Sequence, residues 1–163
     1  LLFQGRPLFF TQRRSGYKSR IFKLYKFRTM HNNTNLKDEE RVTKLGRFLR
    51  RTKLDELPQF FNIIKGDLSI VGPRPLLPEY LNYYTSEQLI RFDVMPGITG
   101  WSQINYTNYS DWNKRLYQDI WYVKNRSTLL DIKIVILTIK HLINLIVKND
   151  KKYNINFERF DKK

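Results

Sequence analysis

The segment from Arg50 to Pro75 limits most strictly what this chain can fold into. Pro58 interrupts its helical apolar pattern, Gly66 is placed to stop a helix, and Gly72-Pro73-Arg74-Pro75 holds an irregular backbone. A proline inside a helix removes a backbone hydrogen bond, and the residue before a proline is pushed out of the α region. Elements here are therefore short. Two adjacent carboxylates, Asp55 and Glu56, lie within the segment, after Arg47, Arg50, Arg51 and Lys53 and before Arg74. That company suits a site where an acid works on an anionic phosphate. Carboxylate and phosphate repel unless cations or a metal hold them together.

The chain has 163 residues, enough for one domain with its own core and too few to expect two. Its net charge of +15 favours anionic partners: nucleic acid, an acidic membrane leaflet or phosphorylated substrates. Cysteine is absent, which excludes disulfides and thiolate metal sites, and His31 and His141 lack metal-ligand spacing. No Gly-x-x-x-x-Gly-Lys loop or dinucleotide fingerprint is present. No uninterrupted apolar run reaches the roughly 20 residues of a membrane span.

The pattern predicts a compact α/β (α+β) domain of short strands and several helices. Leu8-Phe9-Phe10 and Ile21 to Phe27 read as strands of a hairpin turning at Arg13-Arg14-Ser15-Gly16. After the polar stretch His31 to Lys37, Asp38 to Leu49 reads as one helix with Val42, Leu45, Phe48 and Leu49 on its apolar face. Thr52 fits an N-cap with Asp55 three residues on, and Leu54, Leu57, Phe60, Phe61 and Ile64 form the next apolar face. Pro58 argues that the true first turn begins nearer Asp55. In either case the acids occupy a first turn, where amide groups favour negative charge.

Leu68 to Val71 is a short apolar segment. Pro78 to Tyr84 and Glu87 to Phe92 read as short helices, and Met95 to Trp101 as loop. Asp111 to Val123 is an aromatic-rich helix, and residues 148–163 form a polar, Lys-rich tail. Leu129 to Val147 is an amphipathic helix, with Lys133, Lys140, Asn144 and Lys148 at helical spacing. Packing on the core is its first reading; lying in a membrane interface is the second.

Neighbours on a helix point about 100° apart, so Asp55 and Glu56 suit separate tasks, one attacking or accepting a proton and the other binding a metal. The plain alternative is that both merely offset a helix dipole, and that Arg50 and Arg51 are solvated surface charges. Arg74, fixed between prolines, has the pre-positioned guanidinium that bidentate phosphate recognition requires. Pro96-Gly97-Ile98-Thr99-Gly100 reads as a structural turn or a phosphate-binding loop. Trp101, Trp112, Trp121 and Tyr106, Tyr109, Tyr117 and Tyr122 read first as core or interface packing, and second as rings that stack on a base or sit at a membrane surface.

Five stretches in order resemble the bacterial sugar transferases, monotopic phosphoglycosyl transferases acting on polyprenol phosphate. They are Tyr25-Lys26-Phe27-Arg28-Thr29-Met30, Leu54-Asp55-Glu56-Leu57-Pro58-Gln59, the run from Asn62 to Pro75, Pro96-Gly97-Ile98-Thr99-Gly100-Trp101, and Tyr122-Val123-Lys124-Asn125. The resemblance implies a two-step reaction at the cytoplasmic face of the bacterial inner membrane. Asp55 would attack the sugar-linked phosphate of a UDP-sugar, expel UMP and become an aspartyl-phosphosugar; polyprenol phosphate would then take the sugar phosphate. Glu56 would be the partner acid and Mg²⁺ ligand. Arg50, Arg74, Lys26 and Arg51 would bind phosphate.

Two departures from that family stand out. Relatives usually begin with a hydrophobic helix that dips into one leaflet, whereas this sequence opens at Leu1-Leu2-Phe3, with that anchor missing or reduced to its last residues, and Leu2-Phe3-Gln4-Gly5 resembles a protease-tag scar. Where many relatives continue Gly-Arg-Asn, this chain has Tyr106-Thr107-Asn108, which points to a different sugar preference. Two readings compete: a basic nucleic-acid-binding module and a membrane-surface scaffold without catalysis. Both account for the charge but not for the acids or Pro-Arg-Pro, so no nucleic-acid partner is expected.

Overall fold

The computed structural model describes residues 7–32, 35, 37–105 and 111–147. The expected tag scar, Tyr106-Thr107-Asn108, Tyr109 and the Lys-rich tail lie outside the described residues. Helices and short strands mix in an α+β arrangement, as the sequence predicts.

Strands β1 (Phe9–Ser15) and β2 (Ile21–Phe27) form the hairpin, paired antiparallel from Phe9↔Phe27 to Ser15↔Ile21. The reversal lies later than expected. Arg13, Arg14 and Ser15 belong to β1, and Gly16 to Arg20 turn the chain, with Lys18 and Ser19 at positive φ. The ladder runs on because Ser15 is pinned from outside: its N–H and its hydroxyl both donate to Leu76 O, each at 3.0 Å. Alternation along the strands puts Gln12, Arg14, Phe22, buried Leu24 and Lys26 on the inward face. The free edge of β2 meets Asn62, whose side chain accepts from Tyr25 N–H (3.1 Å) and donates to Lys23 O (2.7 Å). One side chain thus imitates a neighbouring strand.

The single helix expected over Asp38–Leu49 is two: α1 (Asp38–Arg41) and α2 (Lys44–Thr52). Val42 breaks it by adopting an extended backbone and bridging to Met30. Thr43 then caps α2, its hydroxyl accepting from Gly46 N–H. Thr52 is not the N-cap of a following helix. It closes α2 by donating to the carbonyls of Phe48 and Leu49, and Lys53 leaves the helix in the left-handed region at φ 59°. A 3₁₀ turn over Leu54–Glu56 leads through Pro58 into α3 (Gln59–Ile64). Pro58 precedes the helix, where its missing N–H has no helical partner to lose.

The loop expected over Met95–Trp101 contains a strand. β4 (Gly97–Thr99) pairs parallel with β3 (Ser69–Val71). A Cβ on Gly97 would lie 2.1 Å from Gly72 N, and one on Gly100 would lie 2.2 Å from Gly72 O. Only glycine lets these backbones approach so closely. Pro96-Gly97-Ile98-Thr99-Gly100 is therefore a backbone brace for the Gly72-Pro73-Arg74-Pro75 segment.

Pro78–Tyr83 is a 3₁₀ helix, followed by α4 (Ser86–Leu89) and the 3₁₀ turn Ile90–Asp93. Helices α5 (Trp101–Asn105), α6 (Trp112–Asn125) and α7 (Thr128–Val147) complete the described chain. Val71, Val94, Tyr122 and Ile134 form one core cluster; Leu76, Tyr80 and Leu116 form another. Helix α7 packs through Ile134 and through a Thr138–Thr99 hydroxyl contact at 2.7 Å. Its other side carries Ile132, Ile136, Ile139, Ile143 and Ile146, each more than half exposed. Core packing thus accounts for one face of α7 and leaves the isoleucine face uncovered. Among the described residues, no helix is long and apolar enough to cross a membrane.

Candidate active site

The 3₁₀ turn Leu54–Glu56 sorts its side chains by chemistry. Residues three apart eclipse in such a turn, so Leu54 and Leu57 share one side. Both are exposed, whereas Asp55 and Glu56 are buried. The apolar face foreseen from Leu54 to Ile64 does not join the core: Leu54, Leu57, Phe60, Phe61 and Ile64 all stand open. Asn62 and Gln59 are the buried side of α3, and the Asn62 bonds to β2 fix that helix beside Lys26.

Glu56 is the electrostatic centre. Its Oε1 accepts from Lys26 Nζ at 2.7 Å and from an Arg74 guanidinium nitrogen at 2.9 Å. Burial alone would push its carboxyl up, but the Arg74, Lys26 and Lys53 charges outweigh burial and hold it well below the usual carboxylate range. Asp55 goes the other way. Burial raises its pKa and the adjacent Glu56 charge adds to that, against opposing pulls from Lys26, Lys53 and Arg50. Asp55 Oδ1 is buried with no hydrogen-bond partner. Adjacent carboxylates pushed apart in this way are suited to different roles: Glu56 is locked as an anion, and Asp55 keeps basicity and an uncommitted oxygen.

The structure brings Lys26 and Arg74 onto Glu56, and sets Arg50 among the charges acting on Asp55. Arg50 is held by its Nε–H, which donates to Thr29 Oγ1 at 2.8 Å. Arg51 follows Arg50 in the last turn of α2 and is half-buried.

Arg74 has support that sequence reasoning missed. Arg91 donates to Arg74 O at 2.7 Å and to Asp119 Oδ2 at 2.8 Å, while Ser102 donates to Asp119 Oδ1 at 2.6 Å. Arg91, Asp119 and Ser102 come from three separate elements and are all buried. Buried ion pairs are costly to desolvate, so this one holds a backbone carbonyl in place at some expense to stability. Tyr84 and Phe92 rings flank the Arg91 guanidinium at 5.7 and 5.2 Å. Arg91 and Asp119 lie in segments that carry other charged residues, so nothing local singles them out, and their partners lie far off in sequence.

Asp55 and Glu56 offer hard carboxylate oxygens of the kind Mg²⁺ takes when substrate phosphates and water complete its shell. The partnerless Asp55 Oδ1 fits that chemistry. Among the described residues, no group of three or more acids, histidines or cysteines would hold a metal ion unaided.

Residues 1–145 match the family described as bacterial sugar transferase. The chain is similar to the uncharacterized sugar transferase EpsL of Bacillus subtilis (strain 168), 51% identical over 144 residues, covering 85% of this chain and 71% of the relative. It is 43% identical over 148 residues to the UDP-glucose:undecaprenyl-phosphate glucose-1-phosphate transferase of Escherichia coli (strain K12), covering 82% of this chain and 32% of the relative. With the undecaprenyl-phosphate galactose phosphotransferase of Salmonella typhimurium (strain LT2) it shares 36% over 171 residues, covering 91% of this chain and 35% of the relative. It thus spans about a third of the length of the last two. A match running through the acid pair, the Pro-Arg-Pro segment and the glycine brace is a match to the whole site, and the chain belongs to the bacterial sugar transferase family.

Proposed function

We propose that this chain transfers a sugar 1-phosphate from a UDP-sugar to polyprenol phosphate through a covalent intermediate on Asp55. The observation that carries this reading is the divided acid pair: Glu56 neutralised by two cations, and Asp55 beside it, buried, raised in pKa and with an oxygen unengaged. Relatives named as UDP-glucose:undecaprenyl-phosphate and undecaprenyl-phosphate galactose transferases support the substrate classes.

In the first half-reaction an Asp55 carboxylate oxygen attacks the phosphorus that bears the sugar. The bond from that phosphorus to the oxygen bridging it to the nucleotide breaks, its electron pair leaving with UMP. In the second, an oxygen of polyprenol phosphate attacks the same phosphorus and the aspartyl–phosphate bond breaks, restoring the carboxylate. Lys26 and Arg74, already converged on Glu56, supply positive charge where negative oxygens gather; removing such a donor typically costs about 3 kcal/mol of barrier. The Arg91–Asp119–Ser102 network keeps Arg74 from moving away as charge shifts. Glu56, with substrate phosphates, would hold Mg²⁺, which supplies further neutralisation of the phosphate facing the nucleophile.

A membrane surface as partner is supported by where apolar side chains stand exposed. Leu54 and Leu57 bracket the acids on one turn, Phe60, Phe61 and Ile64 follow, and the α7 isoleucines form a second apolar face edged by Lys133 and Lys140. An apolar face edged by lysine is the pattern of a helix lying in an anionic interface. There the acids meet a phosphate whose tail stays in lipid.

The deciding experiment incubates the protein with radiolabelled UDP-sugar in nanodiscs without acceptor, quenches and digests it. Label is expected on the peptide containing Asp55, together with one UMP released per label. Asp55→Asn is expected to abolish both. Turnover at the wild-type rate by Asp55→Asn would remove it as nucleophile.

A further inference from the structure

The hairpin contributes a cation that the acid pair does not engage. Arg14 lies on the inward face of β1, the same face that carries Lys26 on β2. Its neighbour Ser15 is fastened by two bonds to Leu76 O, two residues beyond Arg74, which ties this end of β1 to the Pro73-Arg74-Pro75 segment, and Arg14 feels the Arg74 charge. One terminal nitrogen donates to Gln12 Oε1 at 2.6 Å, while Nε is buried without a partner. Among the described residues, Arg14 has no ion pair with a carboxylate. Glu56, the anion within its electrostatic reach, is committed to Lys26 and Arg74.

Two like charges, Arg14 and Arg74, therefore act on one another. Burial, and then the Arg74 charge, lowers the Arg14 pKa to about 10, which marks a cation short of negative charge. An anion at the Arg14 guanidinium resolves this by screening the Arg14–Arg74 repulsion. Lys26 pairs with Phe10, and Arg14 follows Phe10 by four residues, so the two cations enter the site about 13 Å apart along the ladder. Cations spaced along one inward face suit two linked phosphates better than one. We infer that Arg14 is a phosphate-binding residue of the donor subsite, engaging the diphosphate of a nucleoside-diphosphate sugar together with Arg74. This rests on the reading given under Proposed function and adds to it the residue that reads two phosphates rather than one.

A phosphate oxygen at Arg14 has two possible sources, the nucleotide and the lipid acceptor, and the test separates them. UDP and UMP binding are measured by calorimetry at fixed Mg²⁺ on the protein in nanodiscs, for wild type, Arg14→Gln and Arg14→Lys. UMP release from a UDP-sugar is followed in parallel, with KM for donor and for polyprenol phosphate. Loss of a charge-assisted donor pair is expected to weaken UDP binding of Arg14→Gln by about tenfold or more. UMP affinity and the KM for polyprenol phosphate are expected to stay within about twofold, the scatter of a contact not made. Arg14→Lys keeps the charge but not the fork, and is expected to lose about threefold of the UDP-over-UMP preference.

Equal UDP affinity in wild type and Arg14→Gln overturns the assignment, while wild-type UMP release leaves the proposed reaction standing. An effect confined to the KM of polyprenol phosphate also overturns it, moving Arg14 to the lipid acceptor. Where Arg14→Gln gives no cooperative melt, Arg14→Lys decides, and an unchanged UDP-over-UMP preference there refutes the inference. A wild-type protein that neither binds UDP nor releases UMP sinks the underlying reading, and this one with it.

Discussion

Replacing Glu56 by glutamine tests the electrostatic centre directly. The side chain is 9% exposed and its Oε1 takes both Lys26, 17% exposed, and Arg74, 30% exposed. Glutamine keeps the shape but removes the charge, leaving two cations facing each other in a largely dry site. Breaking a buried ion pair by neutralising one partner costs about 3–5 kcal/mol. Arg74 retains some solvent, so the lower end, about 3 kcal/mol, is the expected loss of stability. For a chain of this size that corresponds to a drop in Tm of roughly 6–12 °C.

The pH dependence gives a second signature. A carboxyl whose folded pKa is depressed contributes stability that is present above its unfolded pKa and lost as pH falls through the folded one. For Glu56 that loss begins below the ordinary glutamate value of 4.5 and continues well below it. Urea unfolding of wild type at successive pH values should show this acid limb, and Glu56→Gln should be less stable at pH 7 and lack the Glu56 part of it. Equal stability of the two proteins at pH 7, with superimposable acid limbs, would refute the account of Glu56 as the anion that holds Lys26 and Arg74.

Other outcomes follow from the same structure. Ser102→Ala removes the 2.6 Å bond to Asp119 and is expected to cost about 1–3 kcal/mol of stability. It should also lower kcat by loosening Arg74, and that kinetic loss should vanish in an Arg74→Ala background; an undiminished loss there would show that the network acts elsewhere. Ile136→Glu with Ile139→Glu, on the exposed side of α7, should leave the melt within about 0.5 kcal/mol of wild type. The same pair should weaken flotation with anionic vesicles by about tenfold or more, since each buried isoleucine is worth roughly 1.5–3 kcal/mol. Unchanged flotation would remove α7 from the docking surface.

Particular residues show where sequence reasoning reached its limit. Asp55, Glu56 and Arg74 stood out through local chemistry: adjacent acids, a cationic neighbourhood and a guanidinium between two prolines. Lys26 entered only through a resembling motif, because nothing within β2 shows that position 26 meets position 56. Arg-Arg-Ser-Gly is turn-like in itself, and the bonds that keep Arg14 and Ser15 in the strand go to Leu76, far off in sequence. Val42 looked like one more apolar helix residue; its bridge to Met30 decided otherwise. Strand β4, which starts on one glycine and is followed by another, looks like a loop until β3 is beside it.

What the sequence by itself determined is what lies within a few residues of its own cause. The short elements, the helices α6 and α7, and the chemistry concentrated between Arg50 and Pro75 all follow from periodicity, prolines and charge. Only the tertiary structure decided which cations serve which acid, and which apolar faces remain open. Both depend on contacts between segments distant in the chain: Lys26 and Arg74 on Glu56, Asn62 along β2, and Arg91 and Asp119 behind Arg74. A depressed Glu56 and a raised Asp55 are consequences of that assembly, because the energy of a charge is set by its surroundings and not by its neighbours in sequence.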